Sequence, residues 1–509
     1  MKLLDALKDC DVEILSEELI EVKGVQNDSR KIEAGDVFIC IDGANTKGIN
    51  FLKGAIEKNA VAAVLDSKYY LDVLDKMKED EIYKRVTYIF SKDVLKDMAR
   101  ISKNVYGDCS KDLILVGITG TKGKTTTSTI IKEILRTVGE NVLLIGTNGA
   151  YINEEEIYNT GRTTLESFEN ERLFKLAKER NVKYAVLEVS SQAMIKQRLF
   201  KTVFDEMTFT NFSEEHISKN EHPNIESYFD AKIMAMDLSN TNIINIDDEW
   251  VKKTLDIHKD KKHITFGKSE KANIQFNEHS IRKDGKWEID IEIKKGIYDD
   301  KYIGKYKLIN NIPGTYSIYN SLAVIANLIN LNIPMDKILK GLENEFVEGR
   351  FEEQKNPLNL KIYIDFAHNE ESYKKILEAG REITKGRLIT VWGADGGRDR
   401  TKRAPMGRVV DKIADINLMC PCESYDDEPF ENVLKDMLEG IENPKDEKNK
   451  IFDDREDAIR YGIEIMEPGD TLFILGKDKK NTIVKKGKEV YFNEREIVQD
   501  AVKQKMEKK

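Results

Sequence analysis

At 509 residues the chain is too long for a single hydrophobic core and suggests about three domains, while 34% charged and 40% hydrophobic residues describe an ordinary globular composition. No stretch approaches the ~18 uninterrupted apolar residues of a membrane helix, residues 1–14 mix acids with apolar residues and lack a signal-cleavage pattern, and five scattered cysteines fit a reduced compartment better than a disulfide framework. A formal charge of −10 argues against non-specific nucleic-acid binding, so the expectation is a cytoplasmic protein with no membrane or nucleic-acid partner, whose polyanionic ligands meet locally concentrated cations.

Residues 1–108 read as a small α/β unit, with apolar strands at 37–41 and 61–65, an amphipathic stretch at 51–58 and a helix at 94–107. Asp28-Ser29-Arg30, Gly35-Asp36, Gly43 and Gly48 supply turn chemistry, which by itself is also what a capped surface turn would show. The polar run 108–112 marks a domain boundary. From there apolar strands alternate with amphipathic helices, the pattern of a doubly wound parallel sheet whose ligands sit at the carboxyl ends of its strands.

The first of those strand ends is the most informative. Residues 113–116 are a continuous apolar run, Gly117, Gly120 and Gly123 follow, and Ile130, Ile131, Ile134, Leu135 and Val138 recur at helical spacing. Strand, glycine loop and helix make a phosphate cradle, in which Lys124 reaches the outer phosphates and Thr125 holds Mg2+. A second strand, 184–189, closes on Glu188, and a buried carboxylate is costly unless it is paired or metal-bound; capping the next helix is the plainer reading. A third strand, 207–210, leads to His216, and the helix after it carries Lys232. Further on, strand 388–392 runs into GADGGRDRTKRAPMG, a basic, backbone-accessible loop with Arg398, Lys402 and Arg403. Cys420 and Cys422 have no histidine or second cysteine pair at ligand spacing and read as pocket or core residues.

The loop, written G-x-x-G-T-x-G-K-T, resembles that of the Mur ligase family, the ATP-dependent amide ligases of peptidoglycan synthesis. The resemblance continues in order along the chain and implies roles that the residues alone do not. Asp28-Ser29-Arg30 is similar to the segment that holds the uridine nucleotide, which places Ser29 near UDP. Gly120, Thr121, Gly123, Lys124, Thr125 and Thr126 would bind the ATP phosphates, Asn320 the adenine and Asp365 the ribose, with Arg350 in the G-R-[MF]-E turn; Ser317 stands where an earlier asparagine is usual. Thr163, Thr164, Ser190, Arg198 and Arg398 would meet the muramoyl substrate, with Leu165 in place of the T-T-P-E proline. Glu188, in E-V-S-S-[HQ]-A, would bind one Mg2+, and His216 a second together with Lys232 carbamylated to N6-carboxylysine; Lys124, Glu188, His216 and Lys232 form the implied catalytic set. The N-E-H-P piece around His222 is of Gram-positive type.

The implied architecture is three domains: a UDP-substrate domain at 1–108, a central P-loop ATPase domain at 109–346 and a Rossmann-like, amino-acid-binding domain at 347–509. The implied activity, that of the family members that extend the stem peptide to a tripeptide, joins a free amino acid to UDP-N-acetylmuramoyl-L-alanyl-D-glutamate through an acyl phosphate, and the expected working form is a monomer. A ligase of the same fold acting on another peptide or carboxylate is the alternative; its sign would be loss of the UDP segment, which is present. The amino-acid pocket, assigned to Glu423, Tyr425, Gly476 and Lys480, departs from the family. Cys422-Glu423-Ser424-Tyr425 replaces D-N-P-R, and Lys480 replaces the acid of G-K-G-H-E. Both changes argue against diaminopimelate and towards an acidic or small amino acid.

Overall fold

The computed structural model describes residues 1–508 apart from 16–19, 44–45, 159–160, 215–216, 218–220, 283–285, 313, 345–346, 398, 423–427, 478–480 and 486–487, and apart from the side chain of Lys485. The chain divides into two compact units, one of Met1–Gln275, Glu292–Gly304 and Leu322–Ile338, the other of Phe276–Ile291, Lys305–Ser321 and Leu339–Lys509. Among the described residues no helix is long and apolar enough to cross a membrane.

The first unit holds two sheets. In the amino-terminal one, Thr87–Ser91, Ala62–Asp66, Asp36–Ile39 and Gly24–Gln26 lie parallel in that order, and Val12–Leu15 closes the other edge antiparallel to Thr87–Ser91. Alternate residues of these strands feed two apolar cores, Phe38, Ala63, Leu65 and Tyr88 on one face and Val37, Val64 and Ile89 on the other. Val94–Tyr106 begins where the Asp93 side chain accepts from Lys96 N, and it packs with Ser167–Glu179 of the next sheet's layer.

The second sheet places six parallel strands in the order Lys262–Gly267, Ser239–Asn245, Phe204–Phe209, Ile114–Thr119, Tyr184–Glu188 and Val142–Gly146, and adds the antiparallel ribbon Gly149–Ile152 and Glu155–Tyr158. Ile114–Thr119 is central, with Val116 opposite Val186 on one side and Glu206 on the other. Such strands read as unbroken apolar runs because helices cover both faces. The expected strand therefore runs three residues beyond 116, and Gly117 belongs to it: a Cβ there would lie 2.3 Å from Met207 Cε, so this glycine serves close strand packing and not the phosphate loop. Three further strands, Ile274–Ile281, Trp287–Ile293 and Gly304–Asn310, fall largely within the second unit.

The second unit is built on Lys361–Asp365, Thr471–Leu475, Leu388–Trp392, Ile416–Met419 and Asn449–Ile451, parallel in that order, with Glu352–Glu353 antiparallel at one edge. Ile362, Ile389, Leu418 and Leu472 face one apolar core, and Tyr363, Trp392, Met419 and Phe473 the other.

Candidate active site

The order of the six parallel strands reverses around Ile114–Thr119: the chain leaves it for Val142–Gly146, returns beside it as Tyr184–Glu188, then crosses to Phe204–Phe209 on the opposite side. At that reversal, outside the carboxyl ends, an open parallel sheet has its natural ligand crevice. A cavity of about 400 Å³ lies there, lined among others by Lys124, Thr163, Ser190, Arg198, Tyr228 and Lys232.

The loop after the central strand is held from the neighbouring strand end. Thr121 N donates to Asn211 O and Lys122 N to Asn211 Oδ1, each at 2.9 Å, while Asn211 Nδ2 and Thr210 Oγ1 donate back to Lys122 O at 3.0 and 2.7 Å. Gly120, at φ +143°, allows this contact, since a Cβ would sit 2.0 Å from Thr210 Oγ1. Two of the loop's N–H groups are thus already used, and the anion-facing donors are those of the helix Lys124–Thr137, whose first N–H groups, at Lys124, Thr125 and Thr126, have no intrahelical acceptor. Lys124 Nζ donates to Gly120 O at 2.8 Å and Thr121 O at 3.0 Å.

Glu188 is 2% exposed. It accepts Thr125 Oγ1 and Thr147 Oγ1 on Oε2, both at 3.0 Å, and Thr147 N on Oε1 at 3.1 Å. Burial pushes its carboxyl above the ordinary range, with Lys124 and these hydrogen bonds pulling the other way. The following helix is capped by Ser190, which accepts from Ala193 N, so capping does not account for Glu188. Carboxylate and threonine hydroxyl are hard oxygen donors, a set that fits Mg2+. Lys232 is 1% exposed, donates to Gly120 O at 2.8 Å and lies 4.8 Å from the Tyr228 ring centre. As an ammonium it is a donor only, and an oxygen-ligand role there requires the carbamate.

Beside Glu188 lies a cluster of mutually hydrogen-bonded residues. Thr164 Oγ1 donates to Glu188 O at 2.8 Å, Ser190 N donates to Thr164 Oγ1 at 3.0 Å, and Thr163 shares a hydroxyl contact with Thr147 at 3.0 Å. Arg198 donates to Thr164 O and Glu166. Ser29 is elsewhere, on the turn Ser29–Lys31 whose cap is Asp28, and does not line this cavity.

In the second unit Asp365 is buried and accepts Phe351 N and Ala367 N, both at 2.7 Å; burial raises its carboxyl, Arg350 opposing. Asn320 sits in the helix Thr315–Asn330, 6% exposed. Gly476 N donates to Asp365 O at 3.1 Å. One expectation is corrected. Arg403 is not part of a phosphate-facing loop surface: it is 0% exposed, and its guanidinium is taken by Glu428 (2.6 and 3.0 Å), Asp436 (2.8 Å) and Asp395 O (2.9 Å). That contact pulls the Glu428 carboxyl down to about 2. Cys420 and Cys422 are buried, Cys420 beside the equally buried Arg455, in keeping with core residues. His216, Arg398, Glu423, Tyr425 and Lys480 lie outside the described residues.

The sequence alone does not reveal Thr147 as a partner of Glu188, the stapling role of Asn211 or Arg162 on the cavity wall. His222, in the N-E-H-P piece, is fully buried with Nε2 2.9 Å from Ser191 Oγ. The signal for Thr147 and Asn211 is positional: each stands just past the end of a parallel strand, Val142–Gly146 and Phe204–Phe209, while Glu188 is itself the last residue of Tyr184–Glu188.

Comparison with known proteins places this geometry. The chain matches the Mur ligase family catalytic domain over residues 21–106, the Mur ligase middle domain over 118–328 and the Mur ligase glutamate ligase domain over 349–478. It is 34% identical over 501 residues, 98% of this chain and 99% of the relative, to a protein of Clostridium botulinum named UDP-N-acetylmuramoyl-L-alanyl-D-glutamate--2,6-diaminopimelate ligase. A solved structure of a ligase bearing the same name superposes with a TM-score of 0.67 at 21% identity, covering 97% of each chain. A MurF ligase from Thermotoga maritima in complex with ADP superposes with a TM-score of 0.61 at 16% identity, covering 96% of this chain and 98% of that one. Three consecutive family domains and end-to-end identity with a full-length relative establish that this chain belongs to the Mur ligase family.

Proposed function

We propose that the chain is an ATP-dependent, ADP-forming ligase that joins a free amino acid to UDP-N-acetylmuramoyl-L-alanyl-D-glutamate in cytoplasmic peptidoglycan precursor synthesis. The observation that carries this reading is the end-to-end similarity to the relative of that name, and the ADP held by the Thermotoga ligase supports the choice of nucleotide. Residues 1–108 hold the UDP moiety, with Ser29 at the nucleotide; residues 109–346 hold ATP; residues 347–509 hold the amino acid. Asn320, Arg350 and Asp365 as nucleotide contacts, and Arg398 as a substrate contact, rest on the resemblance alone. The working form is a monomer.

ATP with Mg2+ supplies the phosphoryl group that converts the acceptor carboxylate into an acyl phosphate, which the amine of the amino acid then attacks. The chain's own residues prepare that transfer. The Lys124–Thr137 helix start and the Lys124 ammonium face the charge that builds on the phosphoryl oxygens. Thr125 and Glu188 hold one Mg2+, and His216 with carbamylated Lys232 the other. Thr163, Thr164, Ser190 and Arg198, already tied to the Glu188 strand end, fix the acceptor so that its carboxylate meets the phosphoryl group in line.

The test is ADP release from the purified protein with this acceptor and a panel of amino acids. The panel includes 2,6-diaminopimelate, which the relative's name specifies, and acidic and small amino acids, which the residues at 422–425 and Lys480 favour in place of a second ammonium group. ADP release that depends on both acceptor and amino acid is the expected result; none with any member removes the reading. For Lys232, density beyond the ammonium nitrogen and partial rescue of Lys232→Ala by a short carboxylic acid are expected, and an active alanine variant would exclude the carbamate.

A further inference from the structure

A short chain of hydroxyls joins the wall of the central cavity to Glu188. Thr147 stands directly after the strand Val142–Gly146; its hydroxyl donates to Glu188 Oε2 at 3.0 Å and its backbone N–H to Oε1 at 3.1 Å. Thr163, which lines the cavity, has its hydroxyl 3.0 Å from that of Thr147. The backbone at Thr163 is pinned, because its neighbour Thr164 donates to Glu188 O at 2.8 Å and accepts Ser190 N at 3.0 Å. A carboxylate only accepts, and a threonine hydroxyl carries one proton. The Thr147 proton is committed to Glu188, so the proton between the two threonines belongs to Thr163, and the chain runs from Thr163 through Thr147 to Glu188. In that direction Thr163 offers the cavity lone pairs alone.

The two oxygens of Glu188 are not equivalent. A Cβ on Gly146 would lie 2.2 Å from Oε1, so backbone walls that oxygen, whereas Oε2 accepts Thr125 Oγ1 at 3.0 Å from the first turn of the Lys124–Thr137 helix. A cation shared by Thr125 and Glu188 therefore meets Oε2, the oxygen that holds the Thr147 proton. A divalent cation takes carboxylate and hydroxyl by their lone pairs and repels the proton end of an O–H dipole. The Thr147 hydroxyl must then turn, and the other oxygen it touches is Thr163 Oγ1. Once Thr147 donates to Thr163, the Thr163 proton is released from the chain and turns into the cavity, toward the anionic acceptor.

We infer that Thr147 is a positioning residue that couples cation and acceptor: a divalent cation at Glu188 reverses the hydroxyl chain, so that Thr163 changes from a proton acceptor into a proton donor and holds the anionic acceptor more tightly. The inference rests on the proposed function and deepens it. Coupling between two ligands is reciprocal, so the acceptor tightens the cation by the same factor.

The experiment is calorimetric titration of the full-length protein with UDP-N-acetylmuramoyl-L-alanyl-D-glutamate in two buffers, one with Mg2+ and a non-hydrolysable ATP analogue, the other with EDTA and no nucleotide. The quantity read is the ratio of the two affinities, which a uniform loss of acceptor contacts leaves unchanged. That ratio should be about tenfold smaller in Thr147→Val than in wild type, one hydrogen bond to a charged group being worth roughly that factor, and Thr147→Ser should restore it. In Thr147→Val the change should arise in EDTA, where the freed Thr163 proton lets the variant bind the acceptor more tightly than wild type does. Thr163→Val, which cuts the chain at its cavity end, should lower the ratio by weaker binding with Mg2+. An undiminished ratio in either valine variant, or a ratio in Thr147→Val reduced only by weaker binding with Mg2+, overturns this inference alone. Wild type that binds the acceptor in neither buffer overturns the functional reading, and this one with it.

Discussion

Lys124 donates to two carbonyls of its own loop, Gly120 O and Thr121 O, so its ammonium is held where a phosphoryl group would arrive and not dispersed into solvent. Lys124→Ala should lower turnover by at least about a hundredfold, the scale of one preorganised charge at the reacting group, while circular dichroism stays that of wild type; near-normal ADP release would remove Lys124 from the chemistry. Away from the cavity, Glu206 is 0% exposed in the sheet, accepts Asn330 Nδ2 on Oε2 at 2.6 Å, and has no partner on Oε1. Burial raises its carboxyl well above the ordinary range. A folded value above the unfolded one means that its contribution to stability is complete below the ordinary glutamate range and is lost as pH rises through the raised folded value. Urea unfolding should show stability falling from weakly acidic to alkaline buffer, and Glu206→Gln should flatten that fall; an identical pH slope in the variant would show that Glu206 does not carry it.

At the scale of the element, the helix Ile225–Asp237 presents Tyr228 and Lys232 to the cavity and is secured at both ends. Asn224 caps its start by accepting Ser227 N at 2.8 Å, and Lys261 Nζ donates to Met236 O, Asp237 O and Ser239 O around its end. A lysine there satisfies terminal carbonyls and the negative helix end at once. Asn224→Ala should destabilise the fold by about 1 kcal/mol, read as a lower urea midpoint at unchanged m-value, and Asn224→Asp should restore it. No change in midpoint would place the start of this helix under the control of packing and not of its cap.

At the scale of the molecule, the first unit contains a charged junction between the layers of its two sheets. Lys103, on Val94–Tyr106, donates to Asp108 and pairs with Glu171 on Ser167–Glu179, each at 2.9 Å; the side chains of Lys103 and Glu171 are 11% and 4% exposed. Burial raises the Glu171 carboxyl, Lys103 opposing, and Oε2 lacks a partner. Removing one member of such a pair strands the other, so Lys103→Met should cost about 3 kcal/mol, and Lys103→Met with Glu171→Leu should recover much of it. A double variant no more stable than the single one would show that the cost lies in lysine packing and not in the stranded carboxylate. What the sequence by itself determined here is what is local. The strand, glycine loop and helix around 113–139, the strand closing on Glu188 and the alternating pattern of the parallel sheets are written in apolar periodicity and turn chemistry, which act over a few residues. The tertiary structure decided the partnerships. Glu188 takes Thr147 from 41 residues away, the loop at Thr121 and Lys122 is stapled by Asn211, Arg162 and Arg198 meet on Glu166, and Arg403 disappears under Glu428 and Asp436. Each pairing depends on which strands flank Ile114–Thr119 or Leu388–Trp392 and in what register, and register is set by packing among distant segments, a quantity no local window of sequence contains.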